Sequence, residues 1–416
     1  RARYIYPHPT TVFMRDEDDY PMPSKGLGRT SVSDQLYKGY DALDTIPAEL
    51  FERYDAKRGL RNADGSGVLV GLTTVSNVHG YNKVDGVLVP DEGQLTLRGY
   101  RIDDLVNAAQ AEDRFGYEEV AYLLLAGTLP TEAELDDFKA RIGSMRQLPD
   151  GFFASFPYRT HARSIMNVLQ RITLKLYASD DISPEHEIDV ALSLLGRWPR
   201  SAAVAHVAHV AGQGSHELVV PPACEEYSMA ETILDDLRGD EGFTRDEAML
   251  LDVMLMLHAE HGGGNNSTFT TRVLSSSGTD AYSAYAAAIG SLKGPKHGGA
   301  NAKVGEMLAD IALHVSDTSN DDELAAYLTK ILKREAFDGS GLIYGLGHAV
   351  YTVTDPRAEL VKKYACALAA EKGQSERFEL IKSVERLGPQ LMRDVRGITK
   401  PISTNVDMYT GFVYSM

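Results

Sequence analysis

The pattern of apolar and polar residues changes from about residue 71 and becomes helical near residue 101. Beyond it, apolar residues recur every three to four positions, the spacing that gathers side chains on one face of an α-helix. The predicted helices span residues 103–109, 117–126, 132–142, 163–177, 186–195, 202–211, 230–238, 246–261, 281–292, 301–315, 322–336, 355–371 and 376–387. The sequence therefore predicts a mainly α fold.

One short region has a different pattern. Residues 86–99 place apolar residues on both sides of a Pro-Asp-Glu-Gly sequence at 90–93, which is a typical turn composition. We therefore predict one small β-hairpin over residues 86–99, with its turn at 90–93. Residues 1–70 are polar and carry clusters of Pro, Gly and Asp.

The length and the net charge of the chain limit the number of domains and the classes of protein that we expect. A chain of 416 residues is longer than one hydrophobic core usually supports, so we expect more than one domain. The 59 acidic and 42 basic residues give a net charge of −17, which repels nucleic acid. No apolar run reaches the roughly 18 residues of a membrane-spanning helix. We expect neither a nucleic-acid-binding protein nor a membrane protein.

The two cysteines, Cys224 and Cys366, form no C-x-x-C pair. This usage favours two buried thiols in a reducing compartment over a disulfide or a zinc site.

The first segment in which histidines lie next to a glycine-rich stretch is residues 257–265. His258 and His261 are three positions apart at the end of a predicted buried helix, and three glycines follow. The glycines would let the backbone approach a ligand closely, so we favour ligand binding. Two alternatives remain open, namely histidines satisfied within the core and a metal site. A zinc site would need a third ligand, and the segment contains no H-E-x-x-H.

The second such segment is residues 294–301, where His297 precedes a predicted helix. The positive end of a helix dipole disfavours imidazolium, so we expect a neutral ring. A neutral imidazole can donate a hydrogen bond to a carbonyl that is becoming an enolate. The alternative is a capping histidine in a glycine-rich turn.

Two further motifs occur towards the C-terminus. His348 follows a Gly-x-Gly turn, and Arg357 lies at a predicted helix start, where guanidinium and helix N–H groups can bind one carboxylate together. Alternatively, Arg357 pairs with a surface carboxylate. Asp407 lies between Asn405 and Gly411. Taken alone, this segment indicates only a turn or a helix cap.

Taken in order, these motifs and the segment 117–130 resemble the citrate synthase family, in a type II-like bacterial form, over about residues 71–416. The resemblance implies a mainly helical two-domain fold and a homodimer. Residues 1–297 would form a large, dimer-forming domain and residues 298–412 a small domain. Residues 413–416 would begin the return to the large domain.

The resemblance also implies a reaction, the Claisen-type condensation of acetyl-CoA with oxaloacetate followed by hydrolysis of citryl-CoA. Asp407 would remove the methyl proton, and His297 would stabilise the enol oxygen. His348 would polarise the oxaloacetate carbonyl and later donate a proton. This chemistry needs a pre-placed donor because a thioester α-proton is weakly acidic.

The implied substrate-binding residues are His261 and Arg357, which would hold oxaloacetate, and Asn265 and Asn405, which would line the same pocket. Neither a metal nor another cofactor is implied, since acetyl-CoA is a substrate. We expect a cytoplasmic enzyme. Two alternatives stay open: a 2-methylcitrate synthase that uses propionyl-CoA, and a catalytically silent paralogue that binds CoA or a partner chain.

The sequence departs from the family pattern in two places. Many relatives carry Lys or Arg near the CoA phosphates where this chain has Thr352, so Lys362, Lys363 or another base would have to substitute. Family chains also continue beyond the Asn-Val-Asp motif and bring further arginines for oxaloacetate, one of them from the partner subunit. We therefore expect the natural protein to extend past residue 416.

Overall fold

The computed structural model describes residues 73–149, 164–179, 187–211, 222–294 and 297–416, and the single residues Glu49, Arg53, Phe152 and Ile182. Residues 69–416 form one compact unit. The boundary that we expect at residues 297 and 298 stays a prediction.

The described residues contain fourteen α-helices, which confirms the mainly α prediction. In chain order the helices are α1 (Ile102–Ala111), α2 (Tyr117–Ala126), α3 (Glu132–Ser144), α4 (Ile165–Ser179), α5 (Glu187–Ala211), α6 (Met229–Arg238), α7 (Arg245–His258), α8 (Asn266–Ser275), α9 (Ala281–Leu292), α10 (Ala300–His314), α11 (Asp321–Leu332), α12 (Pro356–Glu371), α13 (Ser375–Arg396) and α14 (Asp407–Val413).

Helix starts follow the expected capping chemistry, whereas several predicted helix ends are wrong. Thr244 and Glu247 form a capping box at α7, as the sequence predicts. Helix α5 joins two predicted helices because it continues through Pro199, and α13 continues nine residues past its predicted end through Pro389. A proline forfeits one helix hydrogen bond but need not end a helix whose other face is packed. Helices α7 and α11 end earlier than predicted, at His258 and Leu332.

The sheet has three antiparallel strands, β1 (Ser76–Val84), β2 (Val87–Leu97) and β3 (Tyr100–Arg101), in that order. The predicted hairpin lies in the right region, but its predicted turn at 90–93 is wrong because β2 runs through these residues. The turn falls at Asp85 and Gly86, whose φ angles are +50° and +84°. Asp-Gly favours the two-residue turn with positive φ at both positions.

Gly93 lies at a close approach between two backbone segments rather than in a turn. A Cβ atom at Gly93 would overlap the carbonyl oxygen of Thr354, and one at Gly80 would lie 2.5 Å from the carbonyl oxygen of Val350. Glycine inside a strand often marks such a close backbone approach. Both glycines thus let the hairpin pack directly on residues 350–354, which follow His348.

The largest core cluster joins the sheet to α1, α2, α7 and helices α10 to α14. Smaller clusters lie between α4 and α5 and between α2 and α3. The prediction of two buried thiols is wrong, since Cys224 is half-buried and Cys366 is exposed. Ala365 and Leu368 turn one face of α12 inward, which leaves Cys366 on the outer face. Within the described ranges, no helix is both long and apolar enough to cross a membrane.

Candidate active site

Two segments that are distant in sequence interlock at the centre of the candidate site. The backbone N–H of Asn405 donates to the carbonyl of Gly345 at 3.0 Å, and its amide Nδ2 donates to the carbonyl of Gly347 at 3.0 Å. Its Oδ1 accepts from the backbone N–H of Asp407 at 2.9 Å. Asn405 therefore links the turn before His348 to the first residue of α14, which is Asp407.

His348 is held as a neutral ring with a defined proton position. Its Nδ1 accepts from the backbone N–H groups of Val350 and Tyr351, at 3.1 and 3.0 Å. Burial lowers the pKa of His348 to about 4. A neutral ring that accepts at Nδ1 carries its proton on Nε2. His348 thus offers one N–H donor to a ligand.

Tyr351 is fully buried and connects two histidines. Its ring stacks on His348 with centroids 4.8 Å apart, and its hydroxyl lies 3.2 Å from Nε2 of His261. The hydroxyl donates to the carbonyl of Gln94 at 3.5 Å, so Nε2 of His261 is the donor to Tyr351. Burial, with Arg357 adding to it, lowers the pKa of His261 to about 2. Sequence reasoning missed Tyr351, although it directly follows the His348 motif.

The hairpin also supports the loop that carries His261. Ser76 in β1 donates through its hydroxyl to Oε1 of Glu260 at 2.9 Å and accepts from the backbone N–H of Gly262 at 3.0 Å. Strand β1 therefore fixes the residues on both sides of His261. Because the same hairpin packs on residues 350–354, it holds the two histidine loops in one frame.

Arg357 lies at the start of α12, as predicted, and pairs with a buried carboxylate rather than a surface one. Asp355 caps the helix by accepting from the backbone N–H of Arg357 at 3.0 Å. It also accepts from Nε and Nη2 of the guanidinium, at 3.0 and 2.8 Å. The guanidinium lies over the ring of Tyr351, 5.6 Å from its centroid. Arg357 is therefore fixed next to both histidines.

Asp407 is half-buried, and burial raises the pKa of its carboxyl group. Arg357 and His258 oppose this rise, and Asp355 adds to it. A carboxylate with a raised pKa is a stronger base. The structure thus makes Asp407 the first residue of a helix, whereas the motif alone indicates a turn or cap.

His258 is the last residue of α7, and desolvation by the surrounding protein lowers its pKa. Its Nδ1 lies 2.7 Å from the carbonyl of Met254, to which it donates. Across the described part of the chain, no three His, Cys, Asp or Glu side chains come together as metal ligands. The alternative of a metal site at His258 and His261 therefore finds no third ligand there.

His297 is held separately, by one side chain of α8. Its Nε2 lies 2.9 Å from Oγ of Ser267, and the Ser267 hydroxyl donates to the carbonyl of Ala288 at 3.0 Å. Burial lowers the pKa of His297. The direction agrees with the predicted neutral ring, but burial is the cause rather than a helix end, because α10 begins only at Ala300. Sequence reasoning missed Ser267.

Contacts between α10 and α14 connect the side of His297 to the side of Asp407. Asn301, in the first turn of α10, donates through Nδ2 to the hydroxyl of Thr410, one turn after Asp407. Asn265 caps α8 by accepting from the backbone N–H of Thr268 at 2.9 Å. Its predicted role in lining the substrate pocket stays a prediction.

Comparisons with known proteins agree with this geometry. The family model for the citrate synthase C-terminal domain matches residues 63–416. A citrate synthase from Deinococcus radiodurans is 33% identical over 328 residues, which cover 78% of this chain and 79% of the relative. A 2-methylcitrate synthase from Corynebacterium glutamicum is 30% identical over 374 residues, 87% of this chain and 84% of the relative.

Solved structures show the same fold. Citrate synthase from Pyrobaculum aerophilum aligns with a TM-score of 0.66 and 26% identity, over 84% of this chain and 81% of the other. The citrate synthase of Thermoplasma acidophilum, solved with carboxymethyl coenzyme A and oxaloacetate, aligns with a TM-score of 0.64 and 25% identity, over 84% and 82%. The family is one of acyl-transferring enzymes, and this chain belongs to the citrate synthase family.

Proposed function

We propose that this chain condenses acetyl-CoA with oxaloacetate and hydrolyses the resulting citryl-CoA to citrate and CoA. The observation that carries the proposal is the Asn405 bridge, because it fixes a neutral N–H donor, His348, beside a carboxylate base, Asp407. A base and an electrophile-activating donor are what an aldol-type attack on a ketone requires.

The first step removes a proton from the methyl group of the thioester. Asp407 takes this proton, and its raised pKa reduces the mismatch with the weakly acidic carbon. His297 donates a hydrogen bond to the developing enol oxygen. Ser267 controls this role: its hydroxyl donates to the carbonyl of Ala288, and once it rotates to donate to Nε2, the neutral ring carries its own proton on Nδ1, free for the substrate.

The second step joins the enol carbon to the ketone carbon of oxaloacetate. His348 donates a hydrogen bond from Nε2 to the ketone oxygen and transfers that proton to it as the carbon–carbon bond forms, and its low pKa keeps the ring neutral near pH 7 until then. Arg357 holds the dicarboxylate, since the guanidinium retains N–H groups that Asp355 does not use. His261 supports this side by donating from Nε2 to Tyr351, over whose ring the guanidinium lies. Water then hydrolyses the thioester of citryl-CoA to citrate and CoA, and the proposed steps use acetyl-CoA as a substrate and no cofactor.

The CoA phosphates need a cation that Thr352 does not supply. Thr352 is buried, and its hydroxyl has no hydrogen-bond partner in the described parts of the chain. Lys362 is paired with Glu385, and Lys363 donates to an asparagine. Lys400 instead lines a cavity of about 340 Å³ that opens beside His348 and Thr352. We assign the CoA phosphate contact to Lys400.

The second candidate is a 2-methylcitrate synthase, which the Corynebacterium glutamicum relative favours. One methylene in a pocket changes selectivity by only ~1–3 kcal/mol. A third reading, the silent paralogue, is disfavoured because Asp407, His297 and His348 are all present with suitable partners.

The test is CoA thiol release by the purified chain with oxaloacetate, measured in parallel with acetyl-CoA and propionyl-CoA. We expect release with a higher kcat/KM for acetyl-CoA. A higher kcat/KM for propionyl-CoA would move the assignment to 2-methylcitrate synthase. No release with either thioester, from this chain and from a form extended at its C-terminus, would leave only the silent paralogue.

We also propose a homodimer in the cytoplasm. Leu125, Leu237 and Tyr285 are exposed apolar side chains around one recess, lined by α2, α5, α6, α7 and α9, and such surfaces favour association. The free thiols Cys224 and Cys366 are compatible with a reducing compartment. Light scattering during size-exclusion chromatography tests the dimer, and a monomeric mass would contradict it.

A further inference from the structure

Asp355 has more hydrogen bonds than a helix cap requires. It is 1% exposed, and both of its carboxylate oxygens are used twice. Oδ1 accepts from the backbone N–H and from Nε of Arg357, each at 3.0 Å. Oδ2 accepts from Nη2 of Arg357 at 2.8 Å and from the backbone N–H of Val406 at 3.2 Å. Four donors from two separate segments thus meet on one buried carboxylate.

The first consequence concerns Arg357. A guanidinium has five N–H groups, of which Asp355 takes the Nε–H and one Nη2–H. Of the remaining three N–H groups, one on Nη2 and one on Nη1 form the adjacent edge of the guanidinium, and the fork of two bonds fixes the direction of that edge. A bidentate pair sets orientation as well as energy. Asp355 therefore determines where Arg357 presents its free donors.

The second consequence concerns Asp407. Val406 is the residue immediately before Asp407 and is the N-cap residue of α14. The bond from its backbone N–H to Asp355 ties the start of α14 to the same carboxylate that orients Arg357. A displacement of Asp355 would therefore move the substrate-holding cation and the proposed base together.

We propose that Asp355 is a positioning residue that sets the orientation of Arg357 and the location of Asp407 through one shared carboxylate. The inference rests on the proposed function, because it assigns Arg357 to the oxaloacetate carboxylate and Asp407 to the thioester proton. Asp355 itself reaches the substrate only through these two residues.

The test compares Asp355→Asn with the wild-type chain. We expect the KM and the calorimetric Kd for oxaloacetate to rise about tenfold and kcat to fall about ten- to a hundredfold, since sub-ångström misplacement of reacting groups has effects of this order. The KM for acetyl-CoA should change less than that for oxaloacetate. If Asp355→Asn fails to fold, Asp355→Ser retains a cap for the backbone N–H of Arg357 and gives the same comparison.

The pH profile provides a readout that simple destabilisation does not change. Asp407 acts as the deprotonated base, so kcat/KM falls as pH drops through its pKa. The charge of Asp355 raises that pKa, while Arg357 and His258 lower it. Tyr414 also faces Asp407 but stays neutral, with a pKa of about 12. Removal of the Asp355 charge therefore shifts the acid limb of kcat/KM to lower pH.

Asp236→Asn is the matched control. Asp236 also forms a buried pair, with Arg200 at 3.3 Å, and lies outside the candidate site. It should lose stability without a change in the KM for oxaloacetate or in the acid limb. If the wild type is active and Asp355→Asn has the same KM, kcat and acid limb, the inference about Asp355 is wrong and the proposed function still stands. An inactive wild type would overturn the proposed function, and this inference with it.

Discussion

The two halves of the candidate site are built differently. On one side, His348 and Asp407 belong to segments that share backbone and side-chain hydrogen bonds through Asn405, and Asp355 adds a second tie. On the other side, the residues that the structure describes give His297 one side-chain partner, the hydroxyl of Ser267. The difference indicates that the side with the proposed ketone-activating donor is fixed before substrate binds, whereas the proposed enol-stabilising donor depends on a single hydroxyl that can rotate.

This contrast follows the chemistry that we propose for each half. The base and the electrophile must meet at a fixed distance for carbon–carbon bond formation, which rewards a rigid frame. The proton position on His297 must leave one nitrogen free for the enol, and a hydroxyl can serve either ring tautomer. Substitutions that change either the rigid frame around His348 and Asp407 or a reacting group, but not both, therefore test the difference between the two halves of the site.

The largest effect should come from Asp407→Asn. The amide leaves the backbone bond between Asp407 and Asn405 in place, so the interlocked side keeps its shape but loses its base. We expect kcat to fall about 10³-fold, within the range for a general base, with little change in the KM for oxaloacetate. Steady-state thiol release measures both constants. A variant with intact turnover would exclude Asp407 as the base.

Alanine substitutions at two neighbouring glycines distinguish the cost of backbone strain from the cost of close packing. Gly345 has a φ of +86°, and a Cβ there would lie 3.0 Å from the Cα of Met408 in α14. Gly347 has a φ of +89° but open space around it. We expect Gly345→Ala to lower the free energy of unfolding by about 3 kcal/mol, since backbone strain and overpacking add. It should also lower kcat, because Met408 adjoins Asp407.

Gly347→Ala is the matched control for Gly345→Ala. It carries only the backbone strain, so we expect a loss of about 1 kcal/mol in the free energy of unfolding. Urea unfolding of both variants gives the difference. Equal losses would show that close packing between Gly345 and α14 contributes nothing to the rigid side.

Ser267→Ala tests the other half of the comparison. Loss of the hydroxyl leaves Nε2 of His297 without its partner and lets the ring adopt either tautomer, so the enol donor is present for only part of the time. We expect kcat to fall about tenfold with acetyl-CoA, less than for removal of a whole oxyanion donor. Thr271→Ala, which removes a hydroxyl one turn later on α8, is the control. A normal kcat for Ser267→Ala would show that burial alone fixes His297.

Local sequence signals predict most of the helices, because their apolar spacing repeats over several turns and tertiary packing reinforces it. They fail where two signals compete. Pro199 has the chemistry of a helix end, yet α5 continues through it. Gly93 belongs to a turn-like sequence, yet it serves close packing, and Asp85 with Gly86 forms the actual turn.

The candidate site divides in the same way. The rings of His261 and His348 are in contact, Arg357 lies over Tyr351, and Asn405 donates to the carbonyl of Gly347. The roles that the resemblance implies for these four residues stay predictions. Tyr351 and Ser267 could not be found from local spacing, because their partners are 90 and 30 residues away in sequence. The second role of Asp355 was hidden for the same reason, since its bond to Val406 spans 51 residues.

Lys400→Ala should give the smallest effect, since Lys400 has no proposed role in the proton transfer or in the carbon–carbon bond formation. Lys400 is exposed on the cavity beside His348, and a single solvent-screened cation contributes about 0.5–1 kcal/mol. We expect the KM for acetyl-CoA to rise about threefold, with kcat unchanged, and the difference from the wild type to shrink at high salt. Lys382→Ala, on the exposed face of α13 and paired with Glu379, is the matched control. A rise in the KM for oxaloacetate instead would mean that Lys400 acts on the dicarboxylate rather than on the phosphates of CoA.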